Sequence, residues 1–395
     1  MPTRRRSPTR IAAPAGDARD WRDRKRYVWL LGIVIPVLVP TSWAAVEVTG
    51  SGVFWWSGPM LMFLVIPVLD FLVGPDSENP PDSVLVHLEQ DRYYRWATYL
   101  YLPAQYLSLV LGCWLWAGGG GVTMSLVDKV GLMLTVGGIG GIAINTAHEL
   151  GHQRAQSERW LSKIALAQTG YGHFFVEHNR GHHARVATVE DPASSRLGEN
   201  VYFFYCRSVL GSLRSAWSME RRRLMRHHRP VWGPRNDILN AWLMTVGLFA
   251  ALVAGFGVEI LPWLFGQALI GILLLETINY LEHYGLRRQR RPDGCYEQVR
   301  PSHSWNSNSV ISNVFLFHLQ RHSDHHANPQ RRYQALCHAE EAPQLPAGYA
   351  TMVMLALFPP LWRQVMDRRV RAHYRGDVRL AALRPRQARQ LLQGG

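Results

Sequence analysis

The sequence predicts an all-α integral membrane protein with six transmembrane helices and a cytoplasmic helical cap that holds a histidine-rich dimetal site. The chain has 395 residues, of which 47% are apolar. Six stretches reach or approach the roughly 18 to 20 apolar residues that span a bilayer. Arginines are unevenly distributed between the segments that join these stretches, and histidines cluster where two of the stretches end.

The predicted spans differ in composition. The fourth is rich in glycine, which allows close packing against neighbouring membrane helices. The second contains Asp70, which is a functional candidate by its position in a span or else lies at the cytoplasmic exit. A weaker stretch at 347–366 contains Pro-Pro and indicates an interfacial or re-entrant helix. The six spans are 27–46, 53–74, 97–117, 130–152, 238–256 and 261–283.

The charge pattern predicts the orientation of the chain. The formal net charge is +14, and the segments 1–26, 154–236 and 284–395 carry most of the arginines. The turns on the other side of the spans contain neither Lys nor Arg. The positive-inside rule therefore places these three segments in the cytoplasm, with residues 1–26 as a basic tail and 27–395 as one domain embedded in a bacterial inner membrane. A nucleic-acid partner is disfavoured because no aromatic-interleaved basic motif is present.

Four motifs contain clustered histidines: HELGH, EHNRGHH, NYLEHYG and HLQRHSDHH. By the parity of the spans, all four lie at the same membrane face. Each motif has an ordinary alternative, namely a protease-like zinc pair, a polar loop, a helix-capping cation or an adventitious metal tract. Together these alternatives require four coincidences, so the motifs predict a metal centre. Its candidate ligands are His148, His152, His178, His182, His183, His283, His322, His325 and His326.

The type of ligand limits which metal ions can bind. Imidazole suits iron, copper, zinc and nickel, and nine histidines are too many for one zinc ion. They fit two ions with four or five imidazoles each. Four carboxylates are sequence neighbours of candidate ligands and are expected to orient the rings or contact a metal, with an ordinary solvated acid as the alternative. These carboxylates are Glu149, Glu177, Glu282 and Asp324.

The motifs HELGH, EHNRGHH and LQRHSDHH together resemble the three histidine boxes of the membrane-bound fatty acid desaturase and hydroxylase superfamily of non-haem diiron enzymes. The additional NYLEHYGL is similar to a box of the alkane 1-monooxygenases, the bacterial terminal alkane hydroxylases. The resemblance covers the chain from the first span to about residue 330. It implies that the nine histidines hold two iron ions, while His173 and His318 lie outside the boxes and serve packing or support.

The resemblance also implies a reaction and an electron donor. Family members use dioxygen to oxidise the terminal methyl group of medium- or long-chain n-alkanes to a primary alcohol, with electrons from rubredoxin and its reductase. The four cysteines form no CxxC motif, so the rubredoxin is expected to be a separate protein. Arginine-rich stretches at 220–229 and 286–291 suit an acidic carrier, or else reflect the positive-inside bias or anionic lipid.

The second span begins with Trp55 and Trp56, which are candidate walls of a substrate channel. The alternative is that both belong to the aromatic belt at the membrane interface. Within the superfamily, a fatty-acyl desaturase or a xylene-type side-chain hydroxylase remains open. A histidine-rich metal transporter is the alternative from another class, but it needs ligands near the bilayer midplane.

Overall fold

The computed structural model describes residues 21–384 and 390, and within this part of the chain it is helical, with isolated β-bridges in place of strands. The α-helices are α1 (Leu38–Thr49), α2 (Ser57–Met60), α3 (Ile66–Val73), α4 (Asp82–Gln90), α5 (Tyr93–Trp116), α6 (Leu126–Gly151), α7 (Gln156–Ala167), α8 (Phe174–Val176), α9 (His183–Arg185), α10 (Val201–Arg226), α11 (Asp237–Phe256), α12 (Leu261–Glu282), α13 (Val310–Phe315), α14 (His322–Ala327), α15 (Tyr349–Ala356) and α16 (Pro359–His373). Two π-helices cover Leu61–Val65 and Glu177–His182. The 3₁₀-helices cover Val28–Val34, Gly52–Trp56, Gly119–Gly121, Val258–Ile260, Pro301–His303, Tyr333–Ala335 and Val378–Leu380.

Four helical segments of the described chain are long and apolar enough to cross a membrane. They match the second, fourth, fifth and sixth predicted spans. A bent pair of helices can count as a fifth. The total of six spans remains a prediction. The segments are Gly52–Val73, which runs through α2 and α3, then α6, α11 and Val258–Glu282, which contains α12.

The first predicted span is bent rather than straight. Val28–Val34 and α1 meet at 61°, and Pro36 lies at the break. Proline has no backbone N–H and clashes with the preceding turn, which explains a break at this point. The hydroxyl of buried Ser108 donates a hydrogen bond to the Pro36 carbonyl, so α5 satisfies an acceptor at the break.

The third predicted span lies within α5, which has 24 residues and is therefore about 36 Å long. That length is sufficient for a bilayer. Many of its side chains are Tyr, Trp or Gln rather than aliphatic, which makes it less apolar than the other spans. Its buried Gln105 donates a hydrogen bond to the Ala165 carbonyl at 3.0 Å. This helix is thus tied to α7 through a polar contact inside the protein.

The glycine-rich α6 occupies the centre of the fold and packs against α5, α7 and α12. Its glycines allow α12 to approach closely, as expected from the sequence. A Cβ atom at Gly137 would lie 2.6 Å from the Cβ atom of Ile270. A Cβ atom at Gly141 would lie 2.7 Å from Leu274. Because α6 and α12 end in histidine motifs, this close packing also sets the separation of those motifs.

The segments outside the spans surround the histidine-bearing ends of α6 and α12. Helix α10 packs on α12 and on the π-helix Glu177–His182, while α15 packs on α12 and α16. These elements fall within the predicted cap of 154–236 and 284–395, whose cytoplasmic location stays a prediction. Most of the predicted basic tail lies outside the described residues.

Asp70 connects the second span to the segment that leads to α14. Its carboxylate accepts hydrogen bonds from the Ser312 amide at 2.9 Å and the Ser312 hydroxyl at 2.6 Å. The amide belongs to the first turn of α13, which has free backbone donors. Asp70 therefore holds α13 in place, and this contact accounts for a buried acid at the end of a span.

The approach of α6 to α12 predicts the effect of a larger residue at Gly137. Gly137→Val should lower the free energy of unfolding by about 1–3 kcal/mol, because the added methyl groups overlap Ile270. Gly247→Val in α11 is the matched control, since a Cβ atom at Gly247 has no neighbour within 4 Å. Thermal unfolding of the detergent-solubilised protein measures both. Equal stability of the two variants would contradict the packing described here.

Candidate metal centre

Two central helices bring the first histidines together. His148 lies in the last turn of α6, and His152 follows one turn later at the C-cap. Residues separated by four positions share a helix face, so both rings point the same way. His283 is the C-cap of α12, beside α6. The adjoining ends of these packed helices therefore supply three of the nine candidate ligands.

A π-helix sets the directions in which the histidine rings of the motif EHNRGHH point. Glu177–His182 has π-helical hydrogen bonding, in which the repeat is longer than in an α-helix. Residues five apart are consequently neighbours, and the Nε2 atoms of His178 and His183 lie 3.0 Å apart. His182 is turned away from this pair. Two histidines adjacent in sequence therefore face two different groups of ligands.

Five of the histidines form one compact group, called here the five-histidine group. One ring nitrogen from each lies within 4.8 Å of the others. The Nε2 atom of His325 lies 2.8 Å from that of His148 and 3.1 Å from that of His183. The members are His148, His152, His178, His183 and His325.

The remaining four candidate ligands form the four-histidine group, in which every residue is buried. Helix α14 contributes His322 and His326, one turn apart, whose Nε2 atoms are separated by 2.9 Å. The Nε2 atom of His283 lies 3.1 Å from that of His322. A carboxylate oxygen of Glu282 lies 3.2 Å from the same His322 nitrogen. The members are His182, His283, His322 and His326.

The geometry of both groups fits a metal ion. Two nitrogens bound at right angles about 2.1 Å from one ion lie about 3.0 Å apart, which matches the closest contacts in each group. The Nε2 atoms of His152 and His182 are buried and have no hydrogen-bond partner in the described protein. Unpartnered buried ring nitrogens are costly unless something else binds them. The donor set consists of imidazoles alone, which suits iron, copper, zinc or nickel.

Burial keeps the rings in the neutral form that metal binding needs. Burial lowers the pKa of five candidate ligands outside the predicted spans well below its ordinary value. The shifted residues outside the spans are His178, His183, His322, His325 and His326.

The acceptors that orient two of the rings were not predicted. Nδ1 of His182 lies 2.9 Å from the carboxylate of Asp191. Although burial opposes ionisation, His182 and Ser194 hold the pKa of Asp191 at about 2. Nδ1 of His283 lies 3.1 Å from the carbonyl oxygen of His303. Neither contact has a signal in the sequence, because both cross loops of irregular structure.

The four predicted carboxylates have different surroundings. Of the four, Glu282 lies beside a candidate ligand, His322, and its carboxylate also accepts a hydrogen bond from the Tyr349 hydroxyl at 3.1 Å. Glu149 instead accepts from Gln153. Glu177 pairs with Arg185 at 2.6 Å, and burial raises its pKa to about 7. Asp324 pairs with Arg331 at 2.7 Å and accepts from the Cys337 amide at 2.9 Å. These three acids stabilise the chain around the histidines.

The two histidines outside the boxes are buried but belong to neither group. Nδ1 of His318 lies 2.9 Å from the Tyr333 carbonyl, and its ring packs edge-on against Trp29. The His173 ring packs against Tyr171, and burial lowers the pKa of His173 to about 4. Both rings are packed away from the two groups, although the buried Nε2 atom of His173 has no hydrogen-bond partner in the described protein.

An apolar cavity approaches the histidines from within the helices. Its lining is almost wholly apolar, and part of it is open to the surroundings. Along α6 it extends from Thr135 to Asn145, three residues before His148. Ten residues of helix correspond to about 15 Å. Leu319 and Tyr349 line the same cavity near the histidines, and the Tyr349 hydroxyl donates to Glu282.

The two tryptophans considered for a channel lie next to the far end of this cavity. The Trp55 carbonyl accepts a hydrogen bond from the hydroxyl of Thr135 at 2.8 Å. Trp56 packs against Gly131, one turn before Thr135 on α6. Neither tryptophan side chain lines the cavity. Any effect of Trp55 and Trp56 on the length of the cavity would therefore act through Thr135 and the position of α2.

Comparisons with known proteins agree with this arrangement. The family model described as Fatty acid desaturase matches residues 125–356. The alkane 1-monooxygenase of Acinetobacter baylyi is 44% identical over 94% of this chain and 91% of its own length. An alkane 1-monooxygenase of Pseudomonas putida is 45% identical over 91% of this chain and 89% of its own. The xylene/toluene monooxygenase hydroxylase component XylM of Pseudomonas putida is 26% identical over 79% of this chain and 81% of its own.

Proposed function

The chain belongs to the alkane 1-monooxygenase family, and from that premise we propose that it hydroxylates the terminal methyl group of medium- or long-chain n-alkanes to primary alcohols. The co-substrates are dioxygen and electrons from a separate rubredoxin. The observation that carries the proposal is an apolar cavity that ends about one helical turn from His148, beside two groups of largely buried imidazoles. Such a cavity accepts a hydrocarbon, and such a donor set accepts redox-active metal ions.

Two iron ions are the proposed cofactors, one held by the five-histidine group and one by the four-histidine group. When bound, they would activate dioxygen, the oxidant that an unactivated C–H bond requires, since such a bond offers nothing to acid–base catalysis. The histidines provide neutral lone pairs in a dry interior. Glu282 is a candidate for a further contact in the four-histidine group, because its oxygen lies 3.2 Å from the Nε2 atom of His322.

The cavity binds and aligns the substrate. Its lining is mostly apolar, with Leu, Ile and Met side chains from the first, second, fourth and sixth predicted spans and with Phe315, Leu316 and Val353 from the segments beyond them. An extended alkyl chain lies along α6 with one end near Asn145, where the side-chain amide donates to the Leu316 carbonyl at 2.8 Å. This bond occupies the polar group of Asn145 and leaves an apolar surface for a methyl terminus. The walls also exclude water from the reacting end.

The surface charge supports a separate electron donor and a cytoplasmic location of the histidine-bearing face. Residues 220–229 include exposed Arg221, Arg222, Arg226 and Arg229, which an acidic rubredoxin can approach by electrostatic attraction. In the second stretch, Arg290 and Arg291 are also exposed. We place these surfaces on the cytoplasmic side of a bacterial inner membrane. Anionic lipid headgroups are the other partner that this charge suits.

A xylene-type side-chain hydroxylase is the second candidate, because XylM is a more distant relative over most of the chain. The higher identity to alkane 1-monooxygenases favours the linear alkane. A fatty-acyl desaturase is the third possibility within the superfamily. A metal transporter is disfavoured, since the histidines cluster at the ends of the helices rather than along a path through the membrane.

Product analysis on a series of n-alkanes, with xylene and an acyl substrate in parallel, tests the function. Membranes containing the protein, supplied with rubredoxin and its reductase, should convert n-alkanes to 1-alkanols with one oxygen atom derived from ¹⁸O₂. Membranes that carry the His322→Ala variant are the control and should form no alcohol. A double bond in the acyl chain, or oxidation of xylene alone, would contradict the proposal.

The cavity predicts how chain length can be altered. Gly138 lines it about 15 Å along α6 from His148, and a Cβ atom there would meet Met62 at 3.7 Å, an ordinary contact. Gly138→Leu should fill that end and displace about two methylene groups of a long alkane. The loss is about 1.6 kcal/mol, or roughly tenfold in kcat/KM, for the longest substrates.

Short alkanes should be unaffected by Gly138→Leu, because they do not reach Gly138. Gly247→Leu in α11 is the matched control, since its added side chain has open space. Competition between long and short n-alkanes in one reaction measures the shift directly. The same fractional loss for every chain length would show that the cavity does not hold the substrate in this direction.

A further inference from the structure

The loop that follows the second histidine motif is organised around a buried carboxylate, Asp191. One carboxylate oxygen lies 2.9 Å from Nδ1 of His182 and accepts a hydrogen bond from the Ser194 hydroxyl at 2.6 Å. The other oxygen accepts from the Ala193 amide at 3.2 Å. Both Asp191 and His182 are 2% exposed. Both carboxylate oxygens therefore have partners within the protein, a ring and two donors, and are shielded from bulk water.

The surrounding chain fixes the position of this carboxylate. The Ser194 hydroxyl accepts a hydrogen bond from the Ala187 amide at 2.8 Å, and Ala187 has a φ of 56°, which is unusual for a residue with a side chain. The Arg207 guanidinium donates to the carbonyls of Pro192 at 2.9 Å and Ser194 at 3.0 Å. Arg207 is held in turn by Glu199 at 2.8 Å. The loop is thus locked on both sides of Asp191.

The contact has a direct effect on His182. A carboxylate on Nδ1 keeps the ring proton on that nitrogen and leaves the lone pair on Nε2. That Nε2 atom is buried without a partner and belongs to the four-histidine group. His283 in the same group has a neutral acceptor on Nδ1, the His303 carbonyl. Within the described residues, Asp191 is the one carboxylate bonded to Nδ1 of any of the nine histidines.

We propose that Asp191 is a positioning residue that fixes the tautomer and orientation of His182 and so makes the two metal sites unequal. The inference rests on the proposed function, which places an ion in each group. Asp191 adds a negative charge next to the ligands of the four-histidine group. The metal affinity of that group therefore depends on Asp191, while the affinity of the five-histidine group does not.

The variant Asp191→Asn tests this inference through metal binding rather than turnover. Loss of an outer partner of a ligating histidine typically weakens metal binding about 10–100-fold. In Asp191→Asn, one of two iron ions should be removed by a chelator at a roughly 10–100-fold lower concentration, and the other should be unchanged. In ⁵⁷Fe-loaded protein, one of two Mössbauer components should shift or disappear, a response that a purely structural role would not produce.

Two further variants make the test decisive. Glu190→Gln is the matched control, because Glu190 is the sequence neighbour of Asp191 but pairs outward with Arg290 and Tyr296. It should retain both ions with unchanged affinity. Ser194→Ala keeps the carboxylate and removes one of its donors, together with the acceptor of the Ala187 amide, so it should weaken the same ion by a smaller factor. If Asp191→Asn does not fold, Ser194→Ala tests the role of Asp191 instead.

The inference would be overturned by Asp191→Asn protein that retains both ions with wild-type affinity, or that loses both equally. A wild-type chain that binds fewer than two irons would instead contradict the proposed function. These two failures are distinguishable, since the first is seen as a difference between variants and the second in the unmodified protein.

Discussion

The convergence of nine imidazole rings inside the protein is the constraint on which the rest of the structure depends. Ring nitrogens of neighbouring histidines lie 2.8–3.1 Å apart, so lone pairs of neutral rings face one another at hydrogen-bond distance. Among the described residues, His182 and His283 have an acceptor at Nδ1, namely Asp191 and the His303 carbonyl, whereas the buried Nδ1 atoms of His183, His322 and His326 have no hydrogen-bond partner. Unsatisfied buried polar atoms are costly, whereas a bound cation satisfies all of them at once. Metal binding and the stability of this end of the fold are therefore expected to be coupled.

Close packing of the helices, rather than a large number of polar contacts, holds the histidines together. Glycines on α6 let α12 approach until their backbones are close, so the ends that carry His148 and His283 have little freedom to separate. Asp70 fixes α13 from the second span, and α13 precedes the turn into α14 with its three histidines. The apolar cavity lies between the same elements. A single set of packed helices thus determines both the spacing of the ligands and the shape of the substrate site.

The sequence predicted the nine histidines and their common location, because their motifs recur at the ends of apolar stretches. It could not assign each histidine to the group of five or to the group of four, because that assignment depends on a π-helix at Glu177–His182, which places His178 with His183 rather than with His182. Carboxylates adjacent to histidines were expected to touch them. On a helix, however, consecutive residues point in different directions, and Glu149 and Asp324 accordingly meet other partners. The contact of Asp191 with His182 could not be predicted because it crosses a loop. The bend near Pro36 could not be predicted because it lies within an uninterrupted apolar run.

The central claim is that the two groups of histidines each hold one metal ion, at the end of a cavity for a hydrocarbon. Anomalous diffraction at the iron edge, on crystals of the purified iron-loaded protein, tests it most directly. Two anomalous peaks are expected, one among the Nε2 atoms of the five-histidine group and one among those of the four-histidine group. A single peak, or peaks away from these nitrogens, would contradict the claim.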